Sequence, residues 1–468
     1  MRDKRKIRAL TLGAMLLAMP LMSNAQLLKG VIKGFTVDEP GVNYSPDGYA
    51  LNAKMNDLKI QKDGSFTFDM NFQGPTADVG IDLGANGYFG AHLVKGKTVK
   101  MAIEKKGAEY DVKFSGADVK INYLVNQITR SFDSMKYWSP DPSESKPNAT
   151  YRALLETEYA KVKALLPTIK DNKVRDYYAR LSEGNYKWTK IRLIMDACEN
   201  GAKYQDNEEF KQAIAGIDVN DPINYQTNLS LTAINNMVKA PLEGNNEAYC
   251  REEMALVDKI VTLPELRTLM VNMIGQKYFL FGNGVGGDQE AFIRDYLKFA
   301  GKDSIKVKSL IQQFKSKQES SKLTKSGKAA PDITLNTPDG KSVQLSSLLN
   351  GKFTYIDVWA TWCGPCCAEI PFIKKWVAHY KDNPKIRFIS ISLDANYTAW
   401  KNKLDRDKPQ WLQFNCDKEE NKAITEQWGI IGIPRFIIIG PDGTIRQADA
   451  FRPSDDHFQQ KLDKIISE

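Results

Sequence analysis

Only six cysteines and three histidines occur in the 468 residues of this chain. So few thiols exclude a scaffold held by dense disulfides, and His92, His379 and His457 leave little material for a metal centre. Nor does charge of one sign prevail, since 65 Lys+Arg face 57 Asp+Glu for a net +8. Half of that surplus lies in the first eight residues, where Arg2, Lys4, Arg5, Lys6 and Arg8 stand against Asp3 alone. The remainder is too small and dispersed to argue for nucleic acid as a partner. The apolar run Ala9 to Met22 is short as well: about 14 residues do not cross a hydrocarbon core that needs roughly 20.

What is present belongs to a folded protein. Hydrophobic residues make up 42% and aromatics 10%, which excludes a disordered or fibrous chain, and the length suggests roughly three domains of about 150 residues. The basic stretch, the apolar run and Ser23-Asn24-Ala25 before Gln26 have the three parts of a secretory signal peptide over residues 1–25. Cleavage after Ala25 and export to the periplasm are the expectation. No cysteine near that point supports a lipid anchor. Export to an oxidising compartment makes any cysteine pair either a structural bridge or a redox device, and spacing decides which.

Residues 27–116 read as an antiparallel β domain. Gly30 to Phe35, Tyr49 to Ala53, Ser65 to Met70 and Thr98 to Ile103 alternate as strands, separated by turns such as Pro46-Asp47-Gly48 and Lys62-Asp63-Gly64. Residues 117–322 read as an α-helical region. Tyr151 to Leu166 and Glu247 to Val261 carry apolar residues at i, i+3, i+4 and i+7. Tyr177, Tyr178, Tyr186 and Trp188 are expected in its core. Cys198 and Cys250 fall in separate helices and fit either two buried thiols or one structural disulfide. The polar, lysine-rich segment Lys315 to Lys328 reads as a linker.

From 327 to 468 the texture becomes α/β. Strands Thr354 to Trp359, Ile386 to Leu393 and Phe436 to Ile439 alternate with helices Ala368 to Tyr380, Glu419 to Trp428 and Asp455 to Ile466, which predicts a mostly parallel sheet covered on both faces. Trp362-Cys363-Gly364-Pro365-Cys366 follows the first strand and opens a helix. At a helix N-terminus the macrodipole and free backbone N–H groups favour a thiolate, so the Cys363 thiol should ionise below about 8.5. The two-residue spacer lets Cys366 reach Cys363 and resolve a mixed disulfide formed there. Pro365 suits the first helical turn, where its missing N–H loses nothing. A zinc site would need a second ligand pair, and Cys416 has no adjacent partner, so no metal and no other cofactor is expected. The stretch Tyr355 to Trp362 lacks the proline that precedes a peroxidatic cysteine, which argues against peroxide reduction.

These residues resemble a known family. Ala330-Pro331-Asp332-Ile333-Thr334-Leu335, Asp339-Gly340-Lys341, Trp359 through Cys366, Glu369-Ile370-Pro371, Gly432-Ile433-Pro434 and Pro441-Asp442-Gly443 occur in the order seen in the thioredoxin-fold domain of TlpA/ResA-type thiol-disulfide oxidoreductases. Residues 27–116 resemble, by layout and the Gly30-x-Ile32-x-Gly34 pattern, the β-rich N-terminal domain often fused to such domains. The resemblance implies a redox disulfide between Cys363 and Cys366, catalytic Cys363, Cys366, Asp357 and Glu369, and a substrate-binding surface of Trp362, Ile433 and a cis-Pro434. Asp357 matches a buried acid beneath the cysteine pair. Within an apolar strand its pKa should be raised, which fits a proton shuttle for Cys366, whereas the alternative is a merely tolerated buried acid. Glu369 matches an acid held to tune the thiols, and an exposed helix glutamate is the alternative. Cys367 departs from the family, which usually has a basic or polar residue there. It points about 100° from Cys366 and is expected to be an inert thiol, with an accessory redox role as the other option.

The expectation is therefore an exported protein disulfide reductase that draws electrons from a membrane thiol-transfer partner and acts on protein disulfides. Two alternatives are a partner-binding or scaffold protein with an accessory thioredoxin domain and a peroxide-reducing redoxin.

Overall fold

The computed structural model describes residues 26–467, apart from 38–39, 45–53, 71, 73, 138–145, 199–203, 240–246, 282–288, 301–304, 350, 396, 417–420, 422–423, 425 and 431. The leader over 1–25 and the strand expected at Tyr49 to Ala53 lie outside the described residues. Among the described residues eight strands come first: β1 (Gln26–Lys33), β2 (Gly41–Tyr44), β3 (Lys54–Asp57), β4 (Ser65–Met70), β5 (Thr76–Asp82), β6 (Tyr88–Val94), β7 (Thr98–Lys106) and β8 (Glu109–Gly116). They form two four-stranded sheets, ordered β4-β1-β7-β8 and β3-β2-β5-β6. Leu28 and Ile103 of one sheet share an apolar core with Ile81 and Phe89 of the other. The expected purely antiparallel arrangement is corrected here, because β1 runs parallel to β7 with Leu28 opposite Val99. Alternation marks a strand whichever neighbour it takes, so the pairing was not legible.

Strand β6 is a sheet edge, and helix α1 (Val119–Ser131) covers it. Asn122 Oδ1 accepts from the His92 N–H at 2.8 Å, Asn122 Nδ2 donates to the His92 carbonyl at 3.1 Å, and Asn126 Oδ1 accepts from the Gly90 N–H at 3.2 Å. Two asparagines one helical turn apart thus satisfy edge groups that would otherwise invite another strand.

The helices continue with α2 (Asn148–Leu165), α3 (Asn172–Asp196), α4 (Glu208–Ile214), α5 (Pro222–Gln226), α6 (Leu229–Met237), α7 (Glu247–Ile260), α8 (Pro264–Gln276), α9 (Gln289–Ala300) and α10 (Ile305–Leu323). Of the aromatic set on α3, Tyr178 is buried but polar in its contacts. Its hydroxyl donates to Asp78 at 3.0 Å and lies 3.1 Å from His92 Nδ1, which itself sits 2.7 Å from Asp78. Tyr177 is exposed, contrary to the core placement expected for it. Cys198 and Cys250 are both free thiols.

The expected linker is also corrected, since α10 runs through Lys315 to Leu323. Val307, Leu310 and Phe314 anchor that helix in the core of α7 to α9, and its lysines continue as a solvated end. The apolar anchor lies ahead of the polar segment, so the segment read alone showed no period.

The last region holds β9 (Thr334–Asn336), β10 (Ser342–Gln344), α11 (Leu345–Leu348), β11 (Phe353–Trp359), α12 (Gly364–His379), β12 (Ile386–Ser392), α13 (Tyr397–Asp407), β13 (Leu412–Asn415), β14 (Arg435–Ile439), β15 (Ile445–Gln447) and a closing helix Phe458–Ser467. The helix expected at Glu419 to Trp428 lies partly outside the described residues. Seven strands form one sheet, ordered β10-β9-β13-β12-β11-β14-β15. Among the described residues only β11/β12 and β12/β13 pair in parallel, so the sheet is mixed rather than mostly parallel. The chain enters β14 from Pro434 in the reverse sense and returns through the Pro441-Asp442-Gly443 turn. Every residue of β11 is buried. Its Ile356 and Val358 pack with Ile389, Ile391 and Ile437 on one face, while Phe353 and Tyr355 meet Ile373 and Trp376 of α12 on the other. Among the described residues no helix is long and apolar enough to cross a membrane.

Candidate active site

Side chains alternate along β11, so Asp357 shares the α12 face with Tyr355 and Trp359. Beyond Trp359 the chain turns and Cys363 caps α12. Its Sγ accepts from the Cys366 N–H at 3.2 Å, and Pro365 occupies the first turn. Cys363 and Cys366 are joined in a disulfide with their Cα atoms 5.2 Å apart. Both are buried, at 5% and 2% exposure, while the neighbouring Trp362 is 63% exposed. A sulfur at this cap is aimed at unpaired N–H groups, an environment that favours a thiolate once the bridge is opened.

Strand β14 brings the opposite wall. Val358 pairs with Arg435, so the Ile433–Pro434 step lies one position further, against the end of β11 from which the cysteine loop springs. The Ile433–Pro434 bond is cis, and the Ile433 side chain packs on the cluster of Trp359, Cys363, Cys366 and Trp400.

Two buried carboxyl groups sit on the elements that flank the pair, Asp357 on β11 and Glu369 on α12. Asp357 is 3% exposed, and burial pushes its pKa up to about 7. The Ser390 hydroxyl, donating at 2.9 Å, opposes that rise, and the nearby Glu369 charge adds to it. The Trp411 indole N–H donates to Ser390 Oγ at 2.8 Å and fixes the hydroxyl. A cavity of about 40 Å³ bounded by Asp357, Trp359, Ser390 and Trp411 adjoins this carboxyl, room for one or two waters. Glu369 is buried, contrary to the exposed alternative, and accepts from the Ser454 N–H and hydroxyl at 2.9 Å each. The Arg452 guanidinium stands 3.5 Å from it. Among the described residues no group of three His, Cys, Asp or Glu is placed to hold a metal ion.

The Redoxin family model matches residues 325–460. Thiol-disulfide oxidoreductase ResA of Bacillus cereus is 27% identical over 157 residues, 34% of this chain and 86% of the relative. ResA of Oceanobacillus iheyensis is 31% identical over 134 residues, 28% of this chain and 67% of the relative. The chain belongs to the TlpA/ResA-type thiol-disulfide oxidoreductases of the thioredoxin superfamily. A crystal structure of the thioredoxin domain of a thiol-disulfide oxidoreductase from Bacteroides vulgatus is 29% identical, covers 30% of this chain and 98% of its own, and has a TM-score of 0.28.

In this TlpA/ResA-type domain Cys363, Cys366 and Ile433 pack in one cluster, with Trp362 and Pro434 adjoining them in the chain, while Asp357 stands on β11 and Glu369 on α12, one turn beyond Cys366. Cys367, half-buried on the first turn of α12, points its Sγ to the Thr361 carbonyl at 3.7 Å, and burial pushes its thiol pKa up. Cys416 is buried in the core on the other face. Sequence reasoning missed Ser390, Trp411, Arg452 and Ser454. Ser390 and Ser392 alternate with isoleucines in a strand buried on both faces, and that break in apolarity was the available signal.

Proposed function

We infer that this oxidoreductase reduces protein disulfides through Cys363 and Cys366, in the periplasm, after removal of residues 1–25 behind Ala25. The observation that carries the reading is the bridged Cys363–Cys366 pair, with Cys363 Sγ at the α12 N-cap. In the dithiol form the Cys363 thiolate attacks one sulfur of a substrate disulfide. A bond forms between Cys363 Sγ and that sulfur, the substrate S–S bond breaks, and the other sulfur leaves as a thiolate that takes up a proton. Asp357 then accepts the Cys366 proton, the Cys366 thiolate attacks Cys363 Sγ, and the second substrate thiol is released. Two electrons have passed from the dithiol to the substrate, and the enzyme is left in the bridged form.

A dithiol donor must reopen that bridge. In an oxidising compartment the source is a membrane thiol-transfer partner, and no metal or other cofactor takes part. A carboxyl with a pKa of about 7 exchanges protons near neutrality in either direction, which suits Asp357 for this shuttle. Glu369, held by Ser454 and facing Arg452, tunes the site by raising the proton affinity of Asp357. Trp362, exposed beside the pair, together with Ile433 and Pro434 forms the surface that receives an extended substrate segment. Residues 27–116 and 117–322 are a β-rich and a helical domain preceding the redox domain 327–468.

Disulfide reduction by the full chain with a dithiol donor tests the reading. Cys363→Ser is expected to abolish turnover, and Cys366→Ser to accumulate mixed disulfides with specific partners. Turnover that survives Cys363→Ser refutes the mechanism. A Cys363–Cys366 potential near about −120 mV, that of a strong oxidant, refutes the reducing direction.

A further inference from the structure

Asp394 lies just past the end of β12, 1% exposed, and no step above uses it. Its carboxyl accepts from the Thr361 N–H at 2.9 Å and from the Thr361 hydroxyl at 2.6 Å. The Ser392 hydroxyl donates to the same carboxyl at 2.6 Å, and Asn415 Nδ2 donates to the Asp394 carbonyl at 2.9 Å. Thr361 is gripped from its other end as well, because the Cys367 thiol points at its carbonyl. Thr361 is thus fixed at its N–H, its side chain and its C=O, two residues before Cys363. Strand β12 pairs with β11 throughout its length, so the grip ties the cysteine loop to the rigid centre of the sheet.

We propose that Asp394 is a positioning residue for the redox pair: by holding Thr361 it sets the path through Trp362 and keeps Cys363 Sγ at the α12 N-cap. The disulfide itself restrains Cys363 in the oxidised state. When it opens, that restraint disappears, and the Asp394–Thr361 clamp is what keeps the freed sulfur facing the Cys366 N–H. A displaced sulfur loses the partner that favours its thiolate and its line of attack, and small misplacements are amplified into large rate losses. Cys367 acquires a role by the same geometry. Its thiol is committed to the Thr361 carbonyl rather than to redox exchange.

The proposal rests on Cys363 as the attacking thiol, and its test separates the two. The reduced full-length protein is treated with iodoacetamide at pH 7, and the alkylation rate of Cys363 is followed by mass spectrometry beside kcat and KM for disulfide reduction. Asp394→Ala is expected to slow alkylation and lower kcat by roughly tenfold with KM within about twofold. Thr361→Val, which replaces the hydroxyl by a methyl and keeps the N–H bond, is expected to lower both by roughly threefold, and Thr361→Ser to restore them. Thr361→Val decides the matter if Asp394→Ala does not fold. Alkylation and kcat unchanged in folded variants, with a shift in thermal stability alone, overturn the proposal while leaving Cys363-dependent reduction intact. A wild-type protein that reduces no disulfide overturns the underlying function instead, and the alkylation rates still test the clamp.

Discussion

Replacing Asp357 by asparagine should stabilise the oxidised protein at alkaline pH and do little for it in acid. The ordinary value for this carboxyl is 3.8, and burial lifts it to about 7 in the folded protein. Between those values the folded state holds a proton that the unfolded chain has released, so stability falls as pH rises. The stabilisation is fully present below about 3.8 and is lost as the pH passes about 7. At about 1.36 kcal/mol per pH unit across that span, the ionised, buried carboxylate costs roughly 4 kcal/mol. About 2 kcal/mol of this falls between pH 5.5 and 8. Asparagine keeps the shape and an acceptor for the Ser390 hydroxyl but cannot ionise. The advantage of Asp357→Asn over wild type should therefore grow by about 2 kcal/mol from pH 5.5 to pH 8. Urea unfolding at both pH values, followed by tryptophan fluorescence, measures it, since Trp359, Trp362, Trp376, Trp400, Trp411 and Trp428 all report on this domain. An advantage that stays constant or shrinks over this range refutes the buried-carboxyl reasoning.

Other perturbations probe the rest of the molecule. The same Asp357→Asn substitution removes the proton acceptor proposed for Cys366, so disulfide reduction at pH 7 should slow by roughly tenfold or more with mixed disulfides accumulating, and an unchanged rate would exclude that role. Tyr178→Phe deletes a hydroxyl that donates to Asp78 and adjoins His92, so thermal or urea unfolding should show a loss of roughly 2 kcal/mol. Gly90→Ala would place a Cβ 2.7 Å from the Val125 carbonyl and 2.3 Å from Thr129 Oγ1. The backbone of α1 cannot turn aside as a side chain can, so about 1–3 kcal/mol should be lost, and a variant as stable as wild type would mean that α1 sits further from β6.

Much of the redox domain was legible because its signals are local. Cys363 and Cys366 stand three residues apart behind an apolar strand, and the Trp362 to Cys366 run carries the start of a helix with it. Asp357 announced itself as the only acid in a strand whose every residue is buried. Contacts that depend on distant segments were not legible. Ser454 and Arg452 lie some 80 residues from Glu369, and nothing in the pattern near position 454 marks a partner for a carboxyl on α12. The lysine-rich end of α10 illustrates the same limit on a shorter scale. Its helical state is dictated by Phe314 and the residues before it, outside the polar window.

The sequence by itself determined which residues are candidates for the chemistry and on what kind of element each sits, because helix and strand periods and a Cys-x-x-Cys at a helix start are properties of neighbouring residues. Only the tertiary structure decided how those elements pair and what surrounds each group. β1 runs parallel to β7, the central sheet is mixed, Glu369 is buried beneath Ser454, and Asp394 grips Thr361. The few cysteines have been sorted the same way. Spacing marked Cys363 and Cys366 as a pair, but the turn of Cys367 toward the Thr361 carbonyl depends on where α12 meets the loop before it, a matter of packing between segments that the order of residues does not encode locally.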